Sequence, residues 1–146
     1  MIPALVVATA LTVGSFTSIA ATAPASHHET QTAQVTAADA APFLGDWVLS
    51  LQGQNGPATL DLAVKVEKDK VVGEIKGGEL PAQPIVDITR AEKTLVLRYT
   101  FDYQGTPVPA IVSLTPGEDG KGAAEIDFAG GAYVMSGTAA KKEKTK

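Results

Sequence analysis

Residues 94–115 read TLVLRYTFDYQGTPVPAIVSLT, and this stretch decides the fold. Leu95, Leu97, Tyr99, Phe101 and Tyr103 alternate with Val96, Arg98, Thr100 and Asp102. A period of two places them on one face of a strand. After QGT the alternation resumes with Val108, Ala110, Val112 and Leu114. Two such runs joined by a short glycine turn form an antiparallel hairpin. Pro107 and Pro109 are two apart, so their missing N–H groups point at the same neighbour. Central strands rarely tolerate that, and the start of this strand is expected to be unpaired on one side.

The same pattern extends outwards. Strands are expected at 45–52, 58–67, 70–76, 84–90, 94–103, 106–115, 123–128 and 132–139. Leu60, Leu62, Val64 and Val66 share one face of the second. Ala124, Ile126 and Phe128 face inward from the seventh, and Tyr133 and Met135 from the eighth. No segment has a helical period. The connections EKDK, AEKT, QGT and GG are short, and short links make successive strands antiparallel neighbours. The expected fold is all-β: a small eight-stranded antiparallel up-and-down barrel over 43–139, imperfectly closed at the two prolines. Closure removes exposed edges, and eight strands enclose a packed core or one small ligand.

Composition narrows the chemistry. Residues 43–138 carry 13 acidic and 8 basic side chains and no histidine. A net charge of −5 there excludes nucleic acid, whose phosphates need a basic surface. The chain has no cysteine, so disulfides, thiolate metal sites and redox chemistry are excluded. Ser50, Ser113 and Ser136 have no histidine base in the domain. His27 and His28 are an adjacent pair in a polar segment, which is no structural zinc site. Asp61, Asp87 and Asp102 are the carboxylates to consider, and alternation turns most acids outward. No catalytic centre, metal or cofactor is expected.

Residues 2–23 hold no charged side chain, and Ala23-Pro24-Ala25 has the small-x-small form of a signal-peptidase site. Ser18-Ile19-Ala20 is a second candidate. The segment departs from the usual pattern in having no Lys or Arg before its apolar run. Residues 1–25 are read as a signal peptide, 26–42 as a disordered linker or arm, and 140–146 as a polar basic tail. The address is periplasmic or extracellular, with no stable membrane anchor after cleavage.

The two ends of a meander differ here. One carries the loops EKDK, AEKT and PGEDGKG. The other carries GQNGP, GGELPAQP, YQGTP and Gly130-Gly131, with Glu79 its single charged loop residue. Uncharged loops with tyrosines can close over an apolar ligand. Binding is expected at Leu80, Gln83, Tyr103 and Tyr133, with Gly105 beside them and Tyr99 and Phe101 deeper.

Gly45-Asp46-Trp47 opens the first strand. It resembles the G-x-W signature of lipocalins and related calycin barrels, in which the tryptophan plugs the closed end. The resemblance covers about 43–139. It implies that Trp47 lies at the charged-loop end and that the barrel opens at the uncharged one. The chain departs from full lipocalins in its shorter strands and in lacking a helix after the barrel. Its arginines are Arg90 and Arg98, so none stands near the last strand to cover the tryptophan. It is most similar to short lipocalin-like barrels of secreted bacterial proteins. The expected function is an exported, non-catalytic binder of a small apolar molecule. The alternative is an interaction or inhibitor module that engages another exported protein through the rim and the arm.

The signal reading sets one outcome. Native protein should begin at Ser26, or at Ala21 if the second site is used; an intact mass that still begins at Met1 rules cleavage out.

Overall fold

The computed structural model describes residues 34–78 and 80–143. Residues 1–33, which hold the expected signal peptide and the first part of the expected arm, Glu79, and residues 144–146 of the expected tail lie outside them. Nine strands form one antiparallel sheet: β1 (Gly45–Gly53), β2 (Gly56–Glu67), β3 (Lys70–Gly77), β4 (Leu80–Ile85), β5 (Asp87–Ala91), β6 (Thr94–Tyr103), β7 (Thr106–Pro116), β8 (Lys121–Phe128) and β9 (Tyr133–Lys141). Their order is β4-β3-β2-β1-β9-β8-β7-β6-β5. Every neighbouring pair except β1–β9 is consecutive in the chain, so the meander is present. Tight hairpins make it: Lys68 and Asp69, and Gln104 and Gly105, all take positive φ. That is the turn whose twist suits a two-residue link.

The count and the closure differ from expectation. The strand expected at 84–90 is divided at Val86. Its first part pairs with β3 and its second with β6, so the two lie at opposite margins of the sheet. No ladder joins those margins among the described residues, and the sheet is not closed. Proline chemistry accounts for this. Pro84 sits in β4 opposite Glu74 of β3, in a strand that also holds Pro81. A prolyl nitrogen has no proton to give to a further neighbour. β4 packs against β6 without a ladder.

Pro107 and Pro109 behave as their spacing implies. They face Asp102 and Thr100 across the β6–β7 hairpin, while the β7–β8 ladder begins at Ala110. The prolyl nitrogens therefore meet no ladder on the β8 side. The opening in the sheet, however, lies across β6 from them, at β4.

Alternation builds the core. Leu49, Leu51, Leu62, Val64, Ile75, Ile85, Leu95, Leu97, Val112, Leu114 and Ile126 are buried. Each such side chain contributes roughly 1.5–3 kcal/mol relative to exposure. Val66 is 38% exposed, because β2 runs on past the core to its hairpin.

Two segments read as free chain are folded. Residues 34–42 of the expected arm are ordered. Val35 N–H donates to the Ile88 carbonyl at 3.3 Å, and Gln34 bridges Thr89 on the β5 margin. Thr36 then caps a single helical turn, α1 (Ala37–Ala40), by accepting from Asp39 N–H at 3.2 Å. A 3₁₀ turn, Ala41–Phe43, follows. Val35, Ala40 and Phe43 are buried. These apolar residues lack any period of their own, so only the sheet gives them a place. At the other terminus, Ala140 and Lys141 belong to β9, paired with Val48 and Trp47. Lys142 N–H donates to the Asp46 carbonyl at 2.7 Å.

Trp47 is buried at the end these segments cover. Its indole N–H donates to the Phe43 carbonyl at 2.8 Å. The Lys141 ammonium lies 5.6 Å from its ring centre, and the Arg90 guanidinium 6.0 Å from that of Phe43. Arg90 also donates to the Asp39 carbonyl at 3.2 Å. Replacing Trp47 by alanine removes a fully buried ring and a buried hydrogen bond. The expected loss is about 3–5 kcal/mol, measured by denaturant unfolding; a loss below about 1 kcal/mol would mean the ring is not a core element.

Candidate functional site

The end opposite Trp47 is walled mainly by apolar residues. Ala58 and Leu60 of β2, Ile75 and Gly77 of β3, and Leu80, Pro81 and Gln83 of β4 form one wall. Tyr99, Phe128 and Met135 form the other, from β6, β8 and β9. Together they line a cavity of about 220 Å³. Strand alternation explains the set, since Ala58, Leu60, Ile75, Tyr99, Phe128 and Met135 are all inward positions. The aromatic content is 5% of the chain. Aliphatic and small side chains fill the middle of the sheet and leave this end unfilled.

Of the residues expected here, Leu80, Gln83 and Tyr99 line the cavity. Phe101 does not. It is buried behind the wall, tilted against Tyr99 at 6.2 Å and edge-on to Phe128 at 5.7 Å. Tyr133 is also outside the lining. It stacks on Phe128 at 5.9 Å and closes over the β1–β2 hairpin. There a Cβ on Gly53 would lie 2.5 Å from its hydroxyl oxygen, so only glycine admits the ring. Asn55 N–H reaches the same oxygen at 3.5 Å. Tyr103 does not line the cavity either, and it is 57% exposed. The β6–β7 hairpin projects beyond β8, whose pairing with β7 begins at Ala110, so no neighbouring strand covers the tip. Gly105 lies in that same turn.

Ala58, Leu60, Ile75, Gly77, Pro81, Phe128 and Met135 join Leu80, Gln83 and Tyr99 in the lining, with Lys76 and Gly78 at the rim. The inward alternation of Leu60, Phe128 and Met135 was legible, but their convergence was not.

The acids are engaged elsewhere. Asp61 pairs with Lys142 at 2.7 Å and Asp87 approaches Arg98 at 4.0 Å. Asp102 accepts the Gly105 N–H at 2.7 Å and so holds the hairpin turn. Among the described residues no three His, Cys, Asp or Glu side chains converge as a metal site would require. The expected arm is held from Gln34 onward against the other end, so that part does not reach outward.

Burial pushes the Tyr99 phenol up to about 12. The neutral, hydrogen-bonding form therefore persists throughout the physiological range.

The chain matches no protein-family model, no characterised protein and no solved structure.

The Tyr99 shift has a defined sign in stability. Unfolded tyrosine ionises near 10, and the folded phenol holds its proton to about 12. The unfolded state thus binds fewer protons between those values, and stability falls as pH rises through that window. Below pH 10 the group contributes no slope. Unfolding free energies measured from pH 9 to 12 should show the decline, and Tyr99→Phe should flatten it; an equal slope in both proteins would assign the effect to other groups.

Proposed function

We propose that this chain is an exported, non-catalytic binding protein that takes a small apolar molecule at the uncharged end of a lipocalin-like barrel. One observation carries the reading: an apolar-walled cavity lies at the end away from Trp47, where neither the terminal segments nor the core side chains fill it. Surface pits are common, but most are shallow and polar. This one is lined by Leu60, Ile75, Leu80, Phe128 and Met135, side chains that water solvates poorly.

The closed end supports the resemblance to short calycin barrels. Lys141, from the last strand, lies over Trp47. A cation thus stands where that family is expected to place an arginine. The division at Val86 makes the barrel an eight-strand one only if β4 and β5 count as a single bent strand. The small apolar ligand requires the cavity, not the closure.

Titration with toluene tests this. The methyl resonances of Met135, Leu60 and Leu80 should shift saturably while the Trp47 indole resonance stays fixed. Ala58→Leu, which adds bulk to the wall, should weaken binding at least tenfold without lowering stability by more than about 1 kcal/mol. Shifts confined to the Glu67, Arg90 and Glu118 loops would place binding at the wrong end and defeat the proposal.

A further inference from the structure

The geometry points to a compact neutral ligand of about nine non-hydrogen atoms, an apolar body carrying a single hydroxyl-type group, rather than a fatty carboxylate or a large lipid. This rests on the reading of the cavity as a binding site.

Size is the first argument. An apolar cavity of about 150 Å³ accommodates benzene, with six carbons. Scaling to about 220 Å³ gives roughly nine non-hydrogen atoms. Typical drug-sized sites start at about 300 Å³, so a sterol, a pigment or a sixteen-carbon chain exceeds the space. The cavity does have an open side, since Gly78 and Pro81 on its rim are exposed. A longer chain can protrude there, but its extra carbons stay in water and add nothing.

Charge is the second. Burying a carboxylate needs a partner cation. The one cationic residue at the rim is Lys76. It follows inward-facing Ile75 along β3, so alternation turns its side chain to the outer face, and it is exposed there. On that face it borders a depression shared with Asp46, Asp61, Glu74 and Lys142, and Lys142 pairs with Asp61. The Lys76 charge thus stands on the outer face, beside Asp46 and Glu74, and not inside the cavity. The loop's other ionisable residue by sequence is Glu79, an acid.

The polar chemistry inside is neutral. Of the lining residues, Tyr99 carries a phenol and Gln83 a carboxamide. Each can donate and accept, which matches an alcohol, whose hydroxyl does both.

The test uses the full mature chain and five probes followed at the Met135 methyl. Octan-1-ol, with nine non-hydrogen atoms, should saturate the site and bind at least tenfold more tightly than octanoate at pH 8. Affinity should rise from butan-1-ol to octan-1-ol and gain no more at dodecan-1-ol. Tyr99→Phe should weaken octan-1-ol several-fold and leave ethylbenzene unchanged, which separates hydrogen bonding from cavity shape and from folding. Octanoate binding as well as octan-1-ol, or affinity still climbing at dodecan-1-ol, would overturn the ligand class while leaving the site in place, provided ethylbenzene binds. If ethylbenzene and all three alcohols fail to shift the methyl, the site itself is refuted, and the ligand class with it.

Discussion

The Trp47 indole donates to the Phe43 carbonyl at 2.8 Å with both rings buried, and the polarity of the whole molecule depends on that contact. A sheet that curls upon itself leaves two ends of its apolar interior to be covered. Here the hydrogen bond satisfies the one polar atom of the indole. It also fixes Phe43 and the turn Ala37–Ala40 over the same end. Arg90 and Lys141 lie near the two rings, where their stems cover apolar surface and their charges stay in water. With that end sealed, any unfilled volume must fall at the other.

The second constraint is the backbone chemistry of β4. The chain between Leu80 and Ala91 has to serve both margins of the sheet, and it does so by changing partner at Val86. Pro84 and Pro81 remove donors that a continuous ladder to β6 would need. In the β6–β7 hairpin, Pro107 and Pro109 face Asp102 and Thr100. A proline can stand there only where no N–H is required. By the antiparallel alternation, the main-chain groups of Thr100 and Asp102 then turn towards β4. The seam beside the cavity thus has main-chain groups along one side and prolines along the other. It joins β4 to β6 by packing rather than by a ladder.

The cavity follows from composition as much as from topology. A chain with few aromatic residues fills its interior with leucine, valine and isoleucine, and it has placed its aromatic cluster along one wall. Tyr99, Phe101, Phe128 and Tyr133 form a continuous run of rings at 5.7–6.2 Å spacings. Facing them is Ala58, too small to reach across. A larger residue there would close the space. The asymmetry between a crowded aromatic wall and a sparse one is therefore the source of the site.

Alternation along 94–115 was enough to determine strands, facing and hairpins, because side chains in a strand take sides by a rule of period two that needs no distant partner. The uncharged end and the inward placement of Tyr99, Phe128 and Met135 were legible for the same reason. The tertiary structure decided what depends on neighbours. Tyr103 has the same parity as Tyr99 yet is exposed, because β8 ends before it can be covered. Residues 34–42 have no pattern of their own and take their order from the exposed margin of β5. The strand expected at 84–90 reads as continuous, but which strand accepts each half depends on how far the sheet has turned by the time its margins approach. That turn accumulates over nine strands of twist, and no local stretch of residues encodes it.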